Sequence, residues 1–251
     1  MARLPRMLLL ETRPGYLWGA VYAWSGFAVM WAFWVSFAIF LANPRWAAAY
    51  WPLPTIDSGP RTDHPSLAIA IDLALIGLFS VQHSVMARPW FKARVTGQMP
   101  VALERCTFVH AANLALFALI TCWQPIPIAV WSTQSPLRDL LWAAFAAGWV
   151  ILLLGALSYG IFDLFGIEQM RAWRRGTPPP TPQIKTGLLY RWLSHPMYVG
   201  VLLAIWATPR MTVGHLLLAT GMTLYVLIAM RYEERDLLAR FGMTYARWRT
   251  P

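Results

Sequence analysis

The sequence predicts an all-α polytopic membrane protein: a bundle of five to six transmembrane helices, the last two forming a hairpin, followed by a C-terminal interfacial helix. Of its 251 residues, 58% are hydrophobic and 13% are charged, whereas soluble domains carry about 25% charged residues. The 15 tryptophans and nine tyrosines also favour a membrane protein, because their amphipathic rings prefer the membrane–water boundary. No low-complexity tract interrupts the sequence, so residues 1–251 are expected to form a single membrane domain.

Apolar runs of spanning length define the predicted helices. Four runs, at about 16–42, 66–86, 103–123 and 138–162, reach the roughly 20 residues that a span needs, and residues 16–162 are expected to form a four-helix N-terminal part. A fifth apolar region, 196–231, is broken at Thr208-Pro209-Arg210 and predicts a hairpin within a C-terminal part, 186–251. The proline-rich stretch 174–182 cannot be helical and is expected to be a stiff connector.

The basic residues predict the orientation of these helices, because cytoplasmic segments of membrane proteins carry an excess of Lys and Arg. With both termini cytoplasmic, 17 of the 21 Lys and Arg residues lie inside, including Arg3, Arg6 and Arg249. The four outside are Arg45, Arg61, Arg138 and Arg210. The sequence therefore predicts a multi-pass protein of the cell (inner) membrane. Short basic clusters between apolar runs also argue against nucleic-acid binding, despite a formal charge of +10.

The tail from Glu233 onward is expected to be the interfacial helix. Its apolar residues fall along one helical face, and arginines occupy the others. A helix with one apolar and one basic face lies in the membrane interface. The apolar residues are Leu237, Leu238, Phe241, Tyr245 and Trp248.

Ionisable side chains within or beside the predicted spans are functional candidates, because a charge in lipid costs free energy. His83, His110 and Asp163 all lie toward cytoplasmic helix ends, and this one-sided clustering favours a site at the cytoplasmic rim over a pore. For His83, a pocket role and a structural role remain equally open. Asp72 lies deeper in its span, and its expected role is that of a strut, a side chain whose hydrogen bond links two helices.

Neither a disulfide nor a metal site is expected. Cys106 and Cys122 fall at opposite ends of one predicted helix, roughly 24 Å apart at about 1.5 Å per residue, which is beyond the reach of a disulfide. The sequence contains no metal-ligand spacing. Both cysteines are therefore interpreted as packing residues.

The most specific motif is YRWLSHPMYVG, from Tyr190 to Gly200. His195 can cap a helix whose first residue is Pro196, where a missing N–H is harmless. The start of that helix offers free N–H groups and the positive end of its dipole, which suit a carboxylate. Gly200 allows a ligand or a backbone to approach closely. A proline-started helix with a packing glycine would give the same pattern.

A second cluster, YEERDLL, occupies residues 232–238, where the last span ends. Because the hairpin returns to the side on which it started, Glu233 and Glu234 are expected to lie near His195. Paired carboxylates there would hold an ammonium group and oppose a sulfonium charge. Alternatively, these acids could simply be solvent-exposed charges at the end of the helix. That alternative explains one acid more readily than two.

Over about the last quarter of the chain, these motifs resemble the isoprenylcysteine carboxyl methyltransferase superfamily. The resemblance rests on His-Pro-x-Tyr-x-Gly at 195–200, on Glu233-Glu234, and on Gly-x-x-Tyr-x-x-aromatic at 242–248. Members are integral membrane enzymes that bind S-adenosylmethionine with their C-terminal helices. The chain departs from the pattern at Ser194, where the superfamily usually has arginine, although Arg191 lies close by in sequence.

Much of the remaining chain is similar to the bacterial methanethiol S-methyltransferase family. The matching segments are IDSGP at 56–60, QHSVMARP at 82–89, FDLFG at 162–166 and WATPRMTVGH at 206–215. Members methylate methanethiol with S-adenosylmethionine and release dimethyl sulfide. The resemblance therefore implies a small thiol substrate and S-adenosylmethionine as cofactor. Beyond the lipid bilayer, neither a nucleic acid nor an obligate protein partner is expected.

The motif and the resemblance together assign the site residues. Methyl transfer to a thiol requires the thiolate, and a neutral imidazole is the natural base. His83 is the first candidate for that base, with His110 and Asp163 in reserve. Tyr198 would offer its ring to the sulfonium through a cation–π contact. The expected cofactor-binding residues are Tyr190, Arg191, His195, Pro196, Tyr198, Gly200, Glu233 and Glu234.

Two alternatives stay open at this point. The acceptor could instead be a lipid, a prenylated cysteine or a phospholipid amine, with the same cofactor. A membrane transporter is a different class of protein, and the absence of inverted repeats with paired broken helices in the sequence argues against it.

Overall fold

The computed structural model describes residues 13–181 and 183–249. Arg3, Arg6 and Pro182 lie outside the described residues, as do the side chains of Arg13 and Arg249. The chain is mostly helical, because helices satisfy their backbone hydrogen bonds internally where lipid supplies no partners. The elements are α1 (Arg13–Ala42), α2 (Ala47–Tyr50), α3 (Pro65–Ala87), α4 (Pro89–Thr96), α5 (Val101–Cys122), β1 (Ala129–Ser132), α6 (Leu137–Tyr159), α7 (Ile161–Leu164), α8 (Ile167–Arg174), a 3-10 helix (Leu188–Arg191), α9 (Pro196–Trp206), β2 (Arg210–Thr212), α10 (Val213–Phe241) and α11 (Met243–Arg249).

Within the described residues, five helices are long and apolar enough to cross a membrane: α1, α3, α5, α6 and α10. They confirm the four predicted runs and the longer arm of the predicted hairpin. Helix α6 ends at Tyr159 rather than at 162. Gly160 adopts a φ of +99° there, a left-handed conformation that commonly terminates helices.

One end of the bundle collects most of the basic residues, and we call it the basic end. Here α3, α6 and α10 end, and α1, α5 and α9 begin. Arg88, just after α3, binds Asp236 of α10 at 2.8 Å. Arg105 of α5 lies 3.5 Å from the hydroxyl of Tyr159 at the end of α6. These contacts join α3 to α10 and α5 to α6.

At the opposite end of the bundle, hydrogen bonds join the segments that connect the helices. Strands β1 and β2 pair antiparallel, with Ser132 opposite Arg210, a small sheet that the all-α prediction missed. The Thr212 hydroxyl donates to Asp57 Oδ1 over 2.7 Å and accepts the backbone N–H of His215. Segments 56–60 and 206–215, both part of the family resemblance, therefore meet here.

Helix α9 is the short arm of the predicted hairpin. It has 11 residues, which at about 1.5 Å each give roughly 16 Å, about half of the roughly 30 Å of hydrocarbon in a bilayer. Residues 207–212 continue from its end to the sheet. The hairpin therefore returns to the basic end, as predicted.

Helices α6 and α9 pack unusually closely because glycines line their contact. A Cβ on Gly200 would lie 2.5 Å from Leu152 N, and one on Gly148 would lie 2.6 Å from Ala204 N. Helix α6 packs more closely on α9 than on any helix of the predicted N-terminal part. The predicted division into 16–162 and 186–251 stays a prediction.

The C-terminal tail differs from the predicted helix that begins at Glu233. Helix α10 continues to Phe241, because no proline interrupts it, so the carboxylates belong to the long span. Gly242 then adopts a φ of +54°, and α11 turns back so that Tyr245 is only 2% exposed. The interfacial position of the tail stays a prediction.

The core between α1, α3, α5 and α10 is aromatic. Phe33, Phe37 and Phe40 follow one face of α1, with successive ring centroids 5.3 and 6.0 Å apart. Deeper in α3, Asp72 is fully buried, and its Oδ1 accepts the backbone N–H of Gln124 over 2.8 Å. This bond ties the end of α5 to α3, so the predicted strut is confirmed.

Candidate active site

The centre of the site is a histidine between two carboxylates. His195 precedes Pro196, which opens α9, while Glu233 and Glu234 lie on the last turns of α10. His195 Nε2 lies 2.7 Å from Glu234 Oε1, and its Nδ1 lies 3.6 Å from Glu233 Oε2. The predicted proximity of these three residues is confirmed. The His195 and Glu234 side chains are only 11% and 13% exposed, so the pair is largely shielded from solvent.

Two tyrosines complete the hydrogen bonds of this cluster. Tyr198, one helical turn after His195, donates its hydroxyl to Glu233 Oε2 over 2.8 Å. Its ring stacks on the His195 imidazole with centroids 5.5 Å apart. Tyr245 of α11 donates to Glu234 Oε1 over 2.8 Å. The turn at Gly242 therefore brings the tail helix into the site.

A cavity of about 490 Å³ opens beside the cluster. Its volume falls in the range of roughly 300–1,000 Å³ that is typical of small-molecule sites. Its lining contains both acidic and basic groups, which suits a ligand that carries both an ammonium and a carboxylate. The lining residues are Ser194, His195, Met230, Arg231, Glu234 and Arg235.

A pair of tyrosines, of which Tyr190 is buried, extends the cluster toward α6. The rings of Tyr190 and Tyr159 lie 6.4 Å apart. Burial raises the pKa of the Tyr190 phenol, and Glu233 and the Tyr159 phenol raise it further. Tyr190 therefore remains a neutral hydrogen-bonding group next to the carboxylates at physiological pH.

His83 lies deeper, among aromatic rings. Its ring centroid is 4.7 Å from Phe108, 5.2 Å from Phe79 and 6.3 Å from Tyr225. Its Nδ1 is buried and has no hydrogen-bond partner among the described residues. This nitrogen therefore has hydrogen-bonding capacity that the described residues do not use.

Arg105 is not among the predicted site residues, because the sequence indicated only a cytoplasmic charge at this position. It lies inside the span Val101–Cys122, near enough for its charge to act on His83, and its Nη2 lies 3.5 Å from the Tyr159 hydroxyl. An arginine inside a span is costly and marks a functional candidate, a signal that the sequence already contained.

Seven side chains of the site follow one another as neighbours, and the last neighbours the first. We call this set the site ring. Each member neighbours the next through a hydrogen bond, a ring contact or an electrostatic interaction. The ring joins the carboxylate cluster to His83 and draws on α3, α5, α6, α9, α10 and the 3-10 helix. Its members are, in order, Glu233, Tyr198, Tyr225, His83, Arg105, Tyr159 and Tyr190.

His110 lies apart from the site ring. Two positions after Phe108, it points about 200° away around α5 and faces α1. Its Nε2 lies 2.8 Å from the backbone oxygen of Tyr22, and its ring stacks on the Tyr22 ring at 4.3 Å. A helix-packing role accounts for these contacts, and its reserve role as a base stays a prediction without geometric support.

Asp163 binds neighbouring segments rather than the site ring. Its Oδ1 accepts from Gln169 over 2.8 Å, and Lys185, which follows the connector by three residues, lies 3.5 Å from its Oδ2. Lys185 also lies 5.0 Å from the centre of the Tyr159 ring. Asp163 therefore holds the segment that follows the connector against the edge of the site.

Three other predicted cofactor residues take different positions. Arg191 is exposed and lies over the Trp192 ring at 5.5 Å, outside the cluster. Pro196 is buried at the first position of α9, as predicted. The group that approaches Gly200 is the backbone of α6. Of the two possibilities left open for Gly200, the structure supports close helix packing.

The chain is similar in sequence to several known methyltransferases. Residues 140–244, which contain the carboxylate cluster, match the family model described as phospholipid methyltransferase. The chain is 44% identical to the methanethiol S-methyltransferase of Mycobacterium tuberculosis, over 76% of this chain and 81% of that protein. It is 42% identical to methanethiol S-methyltransferase 2 of Bradyrhizobium diazoefficiens, over 86% and 84%. It is 44% identical to the Pseudomonas deceptionensis methanethiol S-methyltransferase, over 76% and 73%. No solved structure matches the chain.

Proposed function

Since this chain belongs to the methanethiol S-methyltransferase family, we propose that it methylates methanethiol to dimethyl sulfide, with S-adenosylmethionine as the methyl donor. The family makes the chain a membrane methyltransferase. The observation that carries the finer proposal is the pairing of His195 with Glu233 and Glu234 beside a cavity of suitable size.

The residues around that cavity fit the proposed donor. S-adenosylmethionine carries an ammonium, a carboxylate and a sulfonium, and when bound it supplies an electrophilic methyl group. Glu233 and Glu234 would accept hydrogen bonds from the ammonium and oppose its charge. Arg231 and Arg235 lie on the same cavity wall and would bind the carboxylate. The Tyr198 ring would stabilise the sulfonium through a cation–π contact.

The far side of the site ring would receive the thiol. Phe79 and Phe108 exclude water from His83, and Nδ1 of His83 is the nitrogen that can accept the thiol proton. A thiolate that attacks a sulfonium loses its charge as the new bond forms, so surroundings with little water favour the reaction. Holding the two reactants in one enclosed site supplies the alignment that displacement requires.

We place the basic end on the cytoplasmic face of the inner membrane, where a soluble, charged donor is made. The excess of basic residues at that end supports this orientation through the positive-inside rule. Methanethiol is small and apolar enough to reach the site from either side. The volatile, uncharged product would leave through the bilayer.

A headspace assay tests the proposal. Purified protein in detergent, given methanethiol and S-adenosylmethionine with a labelled methyl group, is expected to release labelled dimethyl sulfide. Label recovered in a lipid extract, with none in the headspace, would favour the lipid acceptor instead. The described residues give little support to that alternative. A groove of about 550 Å³ between α1 and α5 is lined by residues such as Trp18, Tyr22 and Thr107, and its lining contains no member of the site ring.

A further inference from the structure

Arg105 is a cation without a matching anion. It lies in a membrane-spanning helix, its Nε is buried, and that Nε has no hydrogen-bond partner among the described residues. The adjacent acid, Glu104, lies 3.8 Å from Lys92 instead, and Arg105 forms no ion pair with any described carboxylate. A buried N–H of a charged group that lacks a hydrogen-bond partner is costly unless a ligand satisfies it.

Helix α3 carries two further unsatisfied polar atoms. His83 Nδ1 and Gln82 Oε1, both on α3, are also buried without a hydrogen-bond partner in the described part of the chain. Native proteins contain few such atoms, and each one calls for an explanation such as a missing ligand. His83 follows Gln82 on α3, and Arg105 of α5 is near enough for its charge to act on His83, so the arrangement suits a small polar group between the two helices.

The positive charge of Arg105 also acts on its surroundings. Burial lowers the pKa of Lys92, which lies outside the spans, and Arg105 is among the cations that lower it further, although Glu104 opposes this. The other cations that act on Lys92 are Arg240 and Arg88. The charge of Arg105 therefore adds to that of other cations at the basic end.

We propose that Arg105 is a catalytic residue that binds the acceptor sulfur as a thiolate, beside the imidazole that takes its proton. This inference rests on the proposed function and names the part of the site that receives the acceptor. Arginine suits the task because its guanidinium stays charged in any surroundings, and a nearby cation lowers the pKa of a thiol. The Tyr159 hydroxyl, 3.5 Å from Nη2, helps to hold the guanidinium in place.

The step balances in atoms and charge. The S–H bond of the thiol breaks, its proton passes to His83 Nδ1, and its electron pair stays on sulfur as an anion paired with Arg105. That electron pair forms the new S–C bond with the methyl group, while the bond between the methyl group and the donor sulfur breaks. The donor sulfur keeps the electrons and becomes a neutral thioether. The imidazolium then returns its proton to solvent.

Three variants of the full-length protein in detergent test the inference. Arg105→Gln removes the charge, Arg105→Lys keeps it, and Arg94→Gln is the matched control, because Arg94 is an exposed arginine on α4. The measurements are kcat and KM for methanethiol from pH 6.5 to 9.5, and calorimetric affinity for S-adenosylmethionine. We expect Arg105→Gln to lose about 100-fold in kcat/KM at neutral pH, the scale for removing one anion-stabilising donor.

Donor affinity and the pH profile separate this role from a structural one. Arg105→Gln is expected to keep its affinity for S-adenosylmethionine and to recover activity as pH rises, since solvent then supplies the thiolate. Added guanidinium chloride is expected to restore part of the activity. Arg105→Lys is expected to keep more activity than Arg105→Gln at neutral pH, and it decides the question if Arg105→Gln does not fold.

The outcomes that overturn the inference are distinct from failure of the proposed function. If the wild-type protein makes dimethyl sulfide and Arg105→Gln matches Arg94→Gln at every pH, the inference is wrong and the proposed function stands. An Arg105→Lys variant with full donor affinity but no turnover at any pH would also overturn it. If the wild-type protein itself makes no dimethyl sulfide, both fail.

Discussion

Nε2 of His195 lies 2.7 Å from Oε1 of Glu234, although 39 residues separate them in the chain. The pairing follows from the hairpin: α9 leaves the basic end and α10 returns to it, so the first residue of one arm faces the last turns of the other. Tyr245 donates to the same carboxylate oxygen. One oxygen thus connects the start of α9, the end of α10 and the tail helix.

Glu234→Gln is expected to weaken the binding of S-adenosylmethionine about 10- to 100-fold. Losing a hydrogen bond to a charged group costs roughly 1.5–3 kcal/mol, and about 1.4 kcal/mol corresponds to tenfold. Isothermal calorimetry on the detergent-solubilised protein measures the change. Glu168→Gln is the control, because Glu168 pairs with Arg171 three residues away on α8. Unchanged affinity in both Glu233→Gln and Glu234→Gln would refute the donor-binding role.

His83→Ala is expected to reduce methanethiol methylation about 10²- to 10⁴-fold at neutral pH, the usual contribution of a general base. Donor affinity should stay nearly intact, because the rings that contact His83 belong to Phe79, Phe108 and Tyr225. The exposed His64 supplies a matched control, His64→Ala. If the variant turns over normally at neutral and at high pH, His83 is not the base.

Gly200→Ala is expected to destabilise the protein by about 1–3 kcal/mol, the usual cost of overpacking. The new methyl group would lie 2.5 Å from Leu152 N and 2.7 Å from Gly148 O, both rigid backbone atoms. Thermal unfolding in detergent measures the loss. Gly77→Ala is the control in another spanning helix, where nothing lies within 4 Å and alanine is the better helix former. Equal unfolding temperatures for the two variants would contradict this account.

Thr212→Val is expected to lower stability by roughly 1–2 kcal/mol, because it removes the cap of α10 and the hydrogen bond to Asp57. Donor affinity should not change, since this contact lies at the end of the bundle away from the site. Thr220→Val, at an exposed position of α10, is the matched control. An unfolding temperature equal to that of the control would show that the contact contributes little.

The orientation predicts which end a membrane-impermeant thiol reagent reaches. Cys106 is 1% exposed, so Cys122→Ser provides a nearly unreactive background. In that background, Arg61→Cys should be labelled in spheroplasts, whereas Arg175→Cys should be labelled only after the membrane is permeabilised. Both positions are exposed. The reverse pattern would place the basic end outside.

Sequence reasoning predicted the spans and the carboxylate cluster because both depend on short-range features. Apolar run length sets each helix, and a hairpin brings its two ends together whatever the rest of the protein does. The same reasoning predicted that the interfacial helix begins at Glu233, because it relied only on the separation of apolar and basic residues onto different helical faces. The only local signal for a break was Gly242, and the helix continues to Phe241.

His110 and Arg105 illustrate the limit of such reasoning. Both lie on α5 near the basic end, so depth alone does not distinguish a packing residue from a site residue. They differ in the direction they face, because five residues on a helix correspond to about 500°, or 140° after one full turn. Which of those directions meets α3 and which meets α1 depends on how α5 is rotated in the bundle.

The sequence by itself determined that this is a polytopic membrane protein, with a histidine and two carboxylates at one end of a C-terminal hairpin. Composition, run length and local motifs carry that information. Only the tertiary structure decided that Gly200 meets α6, that Asp57 binds Thr212, and that His83 and Arg105 belong to one ring with the carboxylates. Those relationships join residues far apart in the chain, and they depend on the rotation and depth of whole helices, which side-chain packing sets.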